Sequence, residues 1–146
     1  MIPLRRNNHV VSQCAYHLVW CTKYRRPVLT SEDPRLGNPV IDGDPGPVDV
    51  RLKQIVAEVC QEKEADLLEI EVMPDHVHAL IALDPSFGIN KLARFIKGRT
   101  SHHLRQEFPS LKRRLPTLWT LSYFVATTGG APLKQIQQYI NDQRDK

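Results

Sequence analysis

Residues 67–83 read Leu67-Leu68-Glu69-Ile70-Glu71-Val72-Met73-Pro74-Asp75-His76-Val77-His78-Ala79-Leu80-Ile81-Ala82-Leu83. Leu68, Ile70 and Val72 alternate with Leu67, Glu69 and Glu71, the period of a strand with one face inward. Pro74-Asp75 makes a turn, and His76 to Leu83 is a second strand, so the pair predicts an antiparallel hairpin. Successive side chains on a strand point to opposite faces, so His76 and His78 project together. Two imidazoles side by side are a natural start for a metal site.

The elements on either side complete a pattern. Val10 to Cys21 reads as a strand that Lys23-Tyr24-Arg25-Arg26-Pro27 closes with charge and a proline. His17 lies on it, where a structural role is expected. Ser31 to Asp49 holds Pro34, Pro39, Pro45 and Pro47 with Gly37, Gly43 and Gly46. It reads as an irregular loop, long for a connection in a compact domain. Arg51 to Glu64 is a helix with one apolar stripe of Leu52, Ile55, Val56, Val59 and Cys60. Asn90 to Glu107 is a second helix, apolar along Leu92, Phe95, Ile96 and Leu104 and basic along Lys91, Arg94, Lys97 and Arg105. His102 and His103 are adjacent on it, diverge by about 100°, and cannot hold one ion as a pair. Leu118 to Ala126 is a strand. Gly129-Gly130 is a hinge before a last helix, in which Pro132 takes the first position and Leu133, Ile136 and Ile140 recur at helical spacing. Strand, helix, strand, strand, helix, strand, helix is a split βαβ order. The expected fold is α+β: a ferredoxin-like sandwich whose antiparallel sheet carries helices on one face, plus a C-terminal helix.

Composition bounds the function. At 146 residues, 41% hydrophobic and 25% charged, the chain suits a single domain over 1–146 with its own core. The net charge of +4 and a pI near 9.1 favour a polyanionic partner. Lys23, Arg25 and Arg26 cluster around Tyr24, and Lys97 and Arg99 follow Phe95, a mixture suited to tracking a backbone and stacking bases. The acidic 31–49 loop would repel DNA and belongs off that groove. Cys14, Cys21 and Cys60 have neither zinc-site nor disulfide-framework spacing. An odd cysteine count suits a reducing cytoplasm. No apolar run approaches membrane-spanning length, so no membrane partner is expected. The expected location is the cytoplasm, nucleoid-associated through DNA. There is no glycine-rich phosphate loop, and no ATP chemistry is expected.

On the last helix Tyr139 and Gln143 are i and i+4 and share a face. Alone, they read as a boundary tyrosine and a solvated amide. Together with His76-Val77-His78 they resemble one family: the TnpA-type single-tyrosine transposases of the smallest bacterial insertion sequences, within the HUH superfamily of single-strand DNA nucleases. The resemblance spans most of the chain. It includes Tyr16 to Leu29, Val72 to His78, Lys97-Gly98-Arg99-Thr100-Ser101, Leu118-Trp119, Ser122-Tyr123-Phe124-Val125 and Tyr139-Ile140-Asn141-Asp142-Gln143. The long 31–49 segment departs from the family, whose members connect here more briefly.

The resemblance implies the same ferredoxin-like fold and a division of labour. Tyr139 is the catalytic nucleophile, forming a 5′-phosphotyrosine and releasing a 3′-hydroxyl. His76, His78 and Gln143 are metal ligands for Mg²⁺ or Mn²⁺. Lys23, Tyr24, Arg25, Arg26, Lys97 and Arg99 are the candidate DNA-binding residues. The partners implied are single-stranded DNA with hairpins and a second copy of the chain, as a homodimer. Two alternatives stay open: a domesticated REP-associated tyrosine transposase or nuclease, and a non-catalytic single-stranded nucleic-acid-binding module. The aromatic and glycine-rich sheet motifs of an RNA-recognition module are not found.

Overall fold

A computed structural model describes residues 2–30, 47–127 and 133–146. In chain order its elements are β1 (Arg5–Arg6), β2 (Val11–Ser12), β3 (Ala15–Cys21), a 3₁₀ turn (Lys23–Arg25), α1 (Val48–Glu62), β4 (Asp66–Met73), β5 (His76–Ala82), α2 (Ile89–Glu107), α3 (Pro109–Arg114), β6 (Phe124–Thr127) and α4 (Leu133–Asp142). The main sheet has the order β4-β5-β3-β6, with every neighbouring pair antiparallel. β5 lies between β4 and β3, and β3 lies between β5 and β6, which is the split βαβ arrangement that the element order predicts.

β3 explains why both faces of this sheet are covered. Its last four residues, Leu18, Val19, Trp20 and Cys21, are all fully buried, the continuous apolar run of a strand with no wet side. Leu18 and Trp20 face α1 and α2 with Val77, Ala79 and Ile81 of β5. The stripe Leu52, Ile55, Val56 and Val59 of α1 closes over them. Each such side chain contributes about 1.5–3 kcal/mol by leaving water. Val19 and Cys21 face the other way and form a smaller cluster with Ile136 and Ile140 of α4. The sheet therefore has a helical layer of α1 and α2 on one side and α4 on the other.

Several boundaries differ from those the sequence predicts. Val10 to Cys21 is two strands: Val11–Ser12 pairs with Arg5–Arg6 in a small separate hairpin, and only Ala15–Cys21 joins the main sheet. Leu118 to Ala126 is strand only from Phe124, and it continues to Thr127. Leu118 and Trp119 are buried as core residues without being sheet, held by one bridge between Thr22 and Trp119 and by the Trp119 indole donating to Thr100 Oγ1 at 3.0 Å. α1 begins at Val48, so Pro47 to Asp49 is the start of a helix rather than loop. Residues 31–46, the Gly129-Gly130 hinge and Pro132 lie outside the described residues. Among the described residues no helix is long and apolar enough to cross a membrane.

Burial fixes the state of the cysteines. Cys21 and Cys60 are buried, and Cys14 is partly exposed. Burial pushes the Cys21 thiol up to about 12, with Asp75 adding to it. Burial pushes Cys60 to about 12 as well, with Asp66 adding. The thiolate is the reactive form. A maleimide at pH 8 should therefore label Cys14 alone in the folded chain, and all three cysteines after denaturation. Peptide mapping that finds Cys21 or Cys60 labelled under native conditions would contradict this core.

Candidate active site

β5 presents His76 and His78 on the sheet face that α4 partly covers. Its register sets Val19 and Glu71 opposite His78, and Cys21 and Met73 opposite His76. Both imidazoles are partly exposed, and each has its own partner. His76 Nδ1 lies 2.8 Å from Asp75 Oδ1. Asp75 Oδ2 accepts from Arg25 Nε at 2.8 Å. The His76 bond, opposed by burial and aided by Arg25, holds the Asp75 carboxyl down at about 2. The carboxylate thus accepts the His76 Nδ1 proton, which leaves the lone pair on Nε2.

His78 is held differently. Its Nε2 lies 2.9 Å from His17 Nδ1, a bond in which one imidazole donates and the other accepts. Burial lowers the His78 pKa, and neighbouring His17 lowers it further against the pull of Glu71 and Glu69. His78 is accordingly neutral at neutral pH, the form that binds a metal. Glu69, Glu71, His78 and Leu80 line an open cleft of about 400 Å³, so this end of the sheet carries negative field beside its imidazoles.

α4 contributes the second half. Its Ile136 and Ile140 are buried against the sheet, which sets Tyr139 along the boundary, its ring 5.7 Å from that of Phe124. Tyr139 Oη lies 2.9 Å from Ser122 Oγ, and Ser122 Oγ donates to Gln143 Oε1 at 3.3 Å. With the serine proton committed to Gln143, the phenol donates to the serine. Gln143 is buried, 4% exposed, in the turn that follows α4. Burial raises the Tyr139 pKa, and the Ser122 bond only partly offsets it. At neutral pH the phenol keeps its proton unless another group helps remove it.

Ser122 is itself held by an unexpected residue. Lys97 Nζ donates to the carbonyls of Thr120, Leu121 and Ser122 at 2.8, 3.2 and 2.9 Å. Its ammonium has three donors and spends all of them here. Burial pulls the Lys97 pKa down to about 8. Lys97, expected to meet DNA, instead clamps the loop that carries Ser122. Arg99 is bound through Nη1 and Nη2 to Glu62, on the helical layer behind the sheet. Arg25 is spent on Asp75. Tyr24 is 42% exposed, with Lys23 Nζ 5.0 Å above its ring, and Tyr24 and Arg26 line one shallow cleft with Arg144.

The structure therefore brings His76 and His78 to one face and joins Tyr139 to Gln143 through Ser122. The hydroxyl and the amide bond to Ser122, not to either imidazole. His17, Asp75 and Ser122 are the residues that sequence reasoning did not place in the site. All three lie inside the blocks that carry the family resemblance, and Asp75 adjoins His76. Among the described residues no cluster of three His, Cys, Asp or Glu could hold an ion. Of the three donors expected from the sequence, His76 and His78 share one face of β5, and the Gln143 amide oxygen accepts from Ser122.

The comparisons with known proteins agree in one direction. The family of IS200-like transposases matches residues 10–143. The ISDra2 transposase TnpA of Deinococcus radiodurans is 33% identical over 147 residues, covering 99% of this chain and 94% of the relative. The transposase for insertion sequence element IS200 of Salmonella typhimurium is 29% identical over 140 residues, covering 94% and 82%. A crystal structure of a Deinococcus radiodurans protein described as a transposase superposes with a TM-score of 0.77 at 31% identity, over 97% of this chain and 99% of that one. A REP-associated tyrosine transposase bound to a REP hairpin superposes with a TM-score of 0.51 at 12% identity, over 94% and 68%, a likeness of fold.

Proposed function

The chain belongs to the IS200-like transposases, and from that premise we propose that it cuts and rejoins single-stranded DNA at insertion-sequence ends through Tyr139. The observation that carries this reading is the Tyr139–Ser122–Gln143 bond chain on the face that also presents His76 and His78. It supports a nucleophile whose hydroxyl is oriented, joined through Ser122 to the proposed metal donor Gln143 in the turn after α4.

Tyr139 Oη attacks the phosphorus. The bond from phosphorus to the 3′ oxygen breaks, the 3′ side leaves as a hydroxyl, and the 5′ phosphate stays on the tyrosine. Oη gives up its proton to solvent as it attacks, and the departing 3′ oxygen takes one up, so the step is neutral in protons; the bond to Ser122 Oγ orients the hydroxyl. Later a 3′-hydroxyl attacks the phosphotyrosine, a new phosphodiester forms, and the phenol is regenerated. The bond energy is conserved in the ester, so no nucleotide cofactor is consumed. His76, His78 and Gln143 would hold a Mg²⁺ or Mn²⁺ ion, which neutralises phosphate charge and orients it for in-line displacement.

Two ends must be cut, and each chain offers one tyrosine of this kind, so a homodimer is the smallest assembly for the cycle. Exposed Tyr24 with Lys23 and Arg26 is the DNA-contacting group we propose. Arg25, Lys97 and Arg99 already have internal partners. The DNA hairpin bound by the REP-associated relative makes hairpin-forming single strands the substrate to test. A domesticated enzyme acting on chromosomal repeats would share this chemistry, and flanking subterminal palindromes would mark the mobile element instead.

The test is incubation of labelled single-stranded element ends with Mg²⁺ or Mn²⁺. A covalent protein–DNA adduct and a free 3′-hydroxyl are expected. Binding without any adduct would favour the non-catalytic module. Binding should also prefer a hairpin-forming strand to perfect duplex and should weaken as salt rises, through counterion release. Arg26→Glu should weaken it more than Arg99→Glu, whose partner is Glu62. Equal, salt-insensitive binding to plain duplex would contradict the assignment.

A further inference from the structure

The Arg25–Asp75–His76 chain carries an inference that rests on the reading of His76 as a metal ligand. Asp75 precedes His76 at the tip of the β4–β5 hairpin. Its backbone carbonyl accepts from Thr22 N–H at 3.0 Å and from Thr22 Oγ1 at 3.2 Å, so the main chain at this tip is tied to the end of β3. Its side chain is free of that work. One carboxylate oxygen meets His76 Nδ1 and the other meets Arg25 Nε, both at 2.8 Å. The Asp75 and Arg25 side chains are 18% and 19% exposed, which shields the pair from competing water.

The backbone supporting Arg25 is unusual. Tyr24 and Arg25 are successive non-glycine residues with φ of 57° and 55°, a left-handed conformation that side chains disfavour and that clusters at functional sites. The turn is pinned by Tyr24 N–H donating to the Lys146 carbonyl at 3.3 Å and Arg25 N–H donating to the Thr22 carbonyl at 2.9 Å. The same guanidinium reaches the Ile140 carbonyl of α4 through Nη1, at 3.5 Å. That carbonyl follows Tyr139 directly in the chain.

We propose that Asp75 is the positioning residue for His76, and that Arg25 holds Asp75 while touching the helix that carries Tyr139. The carboxylate fixes the proton on Nδ1, so Nε2 presents its lone pair to a cation. A histidine ligand commonly donates its other ring N–H to a carboxylate, and removal of that partner weakens metal affinity by about 10- to 100-fold. His78 is bonded to another imidazole and, among the described residues, has no carboxylate partner of this kind. The two histidines are therefore inequivalent: His76 is preset, and His78 must exchange its bond to His17 before its Nε2 can turn to an ion.

Two measurements on the full chain test this. Nitrogen-15 NMR of labelled histidine at pH 8, without metal, should find the His76 proton on Nδ1; a proton on Nε2 would overturn the proposal without any variant. Mn²⁺ binding, read from the electron paramagnetic resonance signal of the free ion, should weaken by about 10- to 100-fold in Asp75→Ala. It should weaken far less in Asp75→Asn, whose amide oxygen still accepts from Nδ1. Arg25→Gln should give a smaller loss than Asp75→Ala. Saturating Mn²⁺ should restore adduct formation in Asp75→Ala. Wild-type Mn²⁺ affinity in a folded Asp75→Ala chain would overturn the positioning role while leaving the metal site standing. A wild-type chain that binds no Mn²⁺ would overturn the metal-site reading itself, and the proposed role with it.

Discussion

Tyr139→Phe should form no covalent adduct with single-stranded ends, a loss of at least about 10⁴-fold, because the attacking atom is gone. Little else should change. The ring stays against Phe124, Ile136 and Ile140 still anchor α4, and Ser122 still donates to Gln143. The lost hydrogen bond costs about 0.5–1.5 kcal/mol of stability. Hairpin binding should therefore persist at near wild-type affinity. Tyr16, Tyr24 and Tyr123 are the other tyrosines. Tyr16 pairs with Ile81 and Thr127 within the sheet, Tyr123 donates to Asn90, and exposed Tyr24 has Lys23 over its ring. Mass spectrometry of a trapped wild-type adduct should place the DNA on the peptide containing Tyr139. An adduct elsewhere, or undiminished cleavage by the Phe variant, would remove the assignment.

The second large effect is expected from His76→Ala combined with His78→Ala. Cleavage should fall to background, and Mn²⁺ should no longer bind measurably to the full chain, while hairpin affinity holds within a few-fold. The variant should fold, since both side chains are partly exposed and the hairpin register rests on backbone bonds. Asp75 keeps Arg25 as a partner, and His17 loses one hydrogen bond. Gln143→Ala should be milder in cleavage, because water can replace one neutral oxygen ligand. It also deletes the acceptor of Ser122, so the Tyr139 hydroxyl loses its fixed direction. Full cleavage by the double histidine variant would end the metal-site hypothesis.

The parts of this molecule that were legible in its sequence are those set by local period. The α1 and α2 stripes and the β4–β5 hairpin follow from residues a few positions apart. What escaped is set by contacts between distant residues. Leu118 to Tyr123 has the apolar content of a strand, yet Lys97, more than twenty positions earlier, takes the carbonyls of Thr120 to Ser122 that a neighbouring strand would need. α3 reads as a basic surface run because Lys112, Arg113 and Arg114 mask a short helix that buries Leu111. In the site, His76, His78, Tyr139 and Gln143 stand out by spacing. Their partners do not: His17 is 61 positions from His78, and Arg25 is 50 from Asp75. Charge counting also assigned Arg25, Lys97 and Arg99 to a DNA surface. Net charge cannot tell a free cation from one that already has partners in the fold.

The division of the core into a large cluster and a small one grades the chain by stability. Leu18, Trp20 and the α1 and α2 stripes form a unit that loses its packing only when the whole sheet opens. Among the described side chains, Ile136 and Ile140 of α4 pack on Val19 and Cys21. The two isoleucines together are worth roughly 3–6 kcal/mol, a small share of what the sheet and its helical layer hold. Peeling α4 away is therefore a local opening of the kind that proteins make without unfolding. Tyr139 thus rides on the helix held by the small cluster, and His76 and His78 stay on the sheet held by the large one.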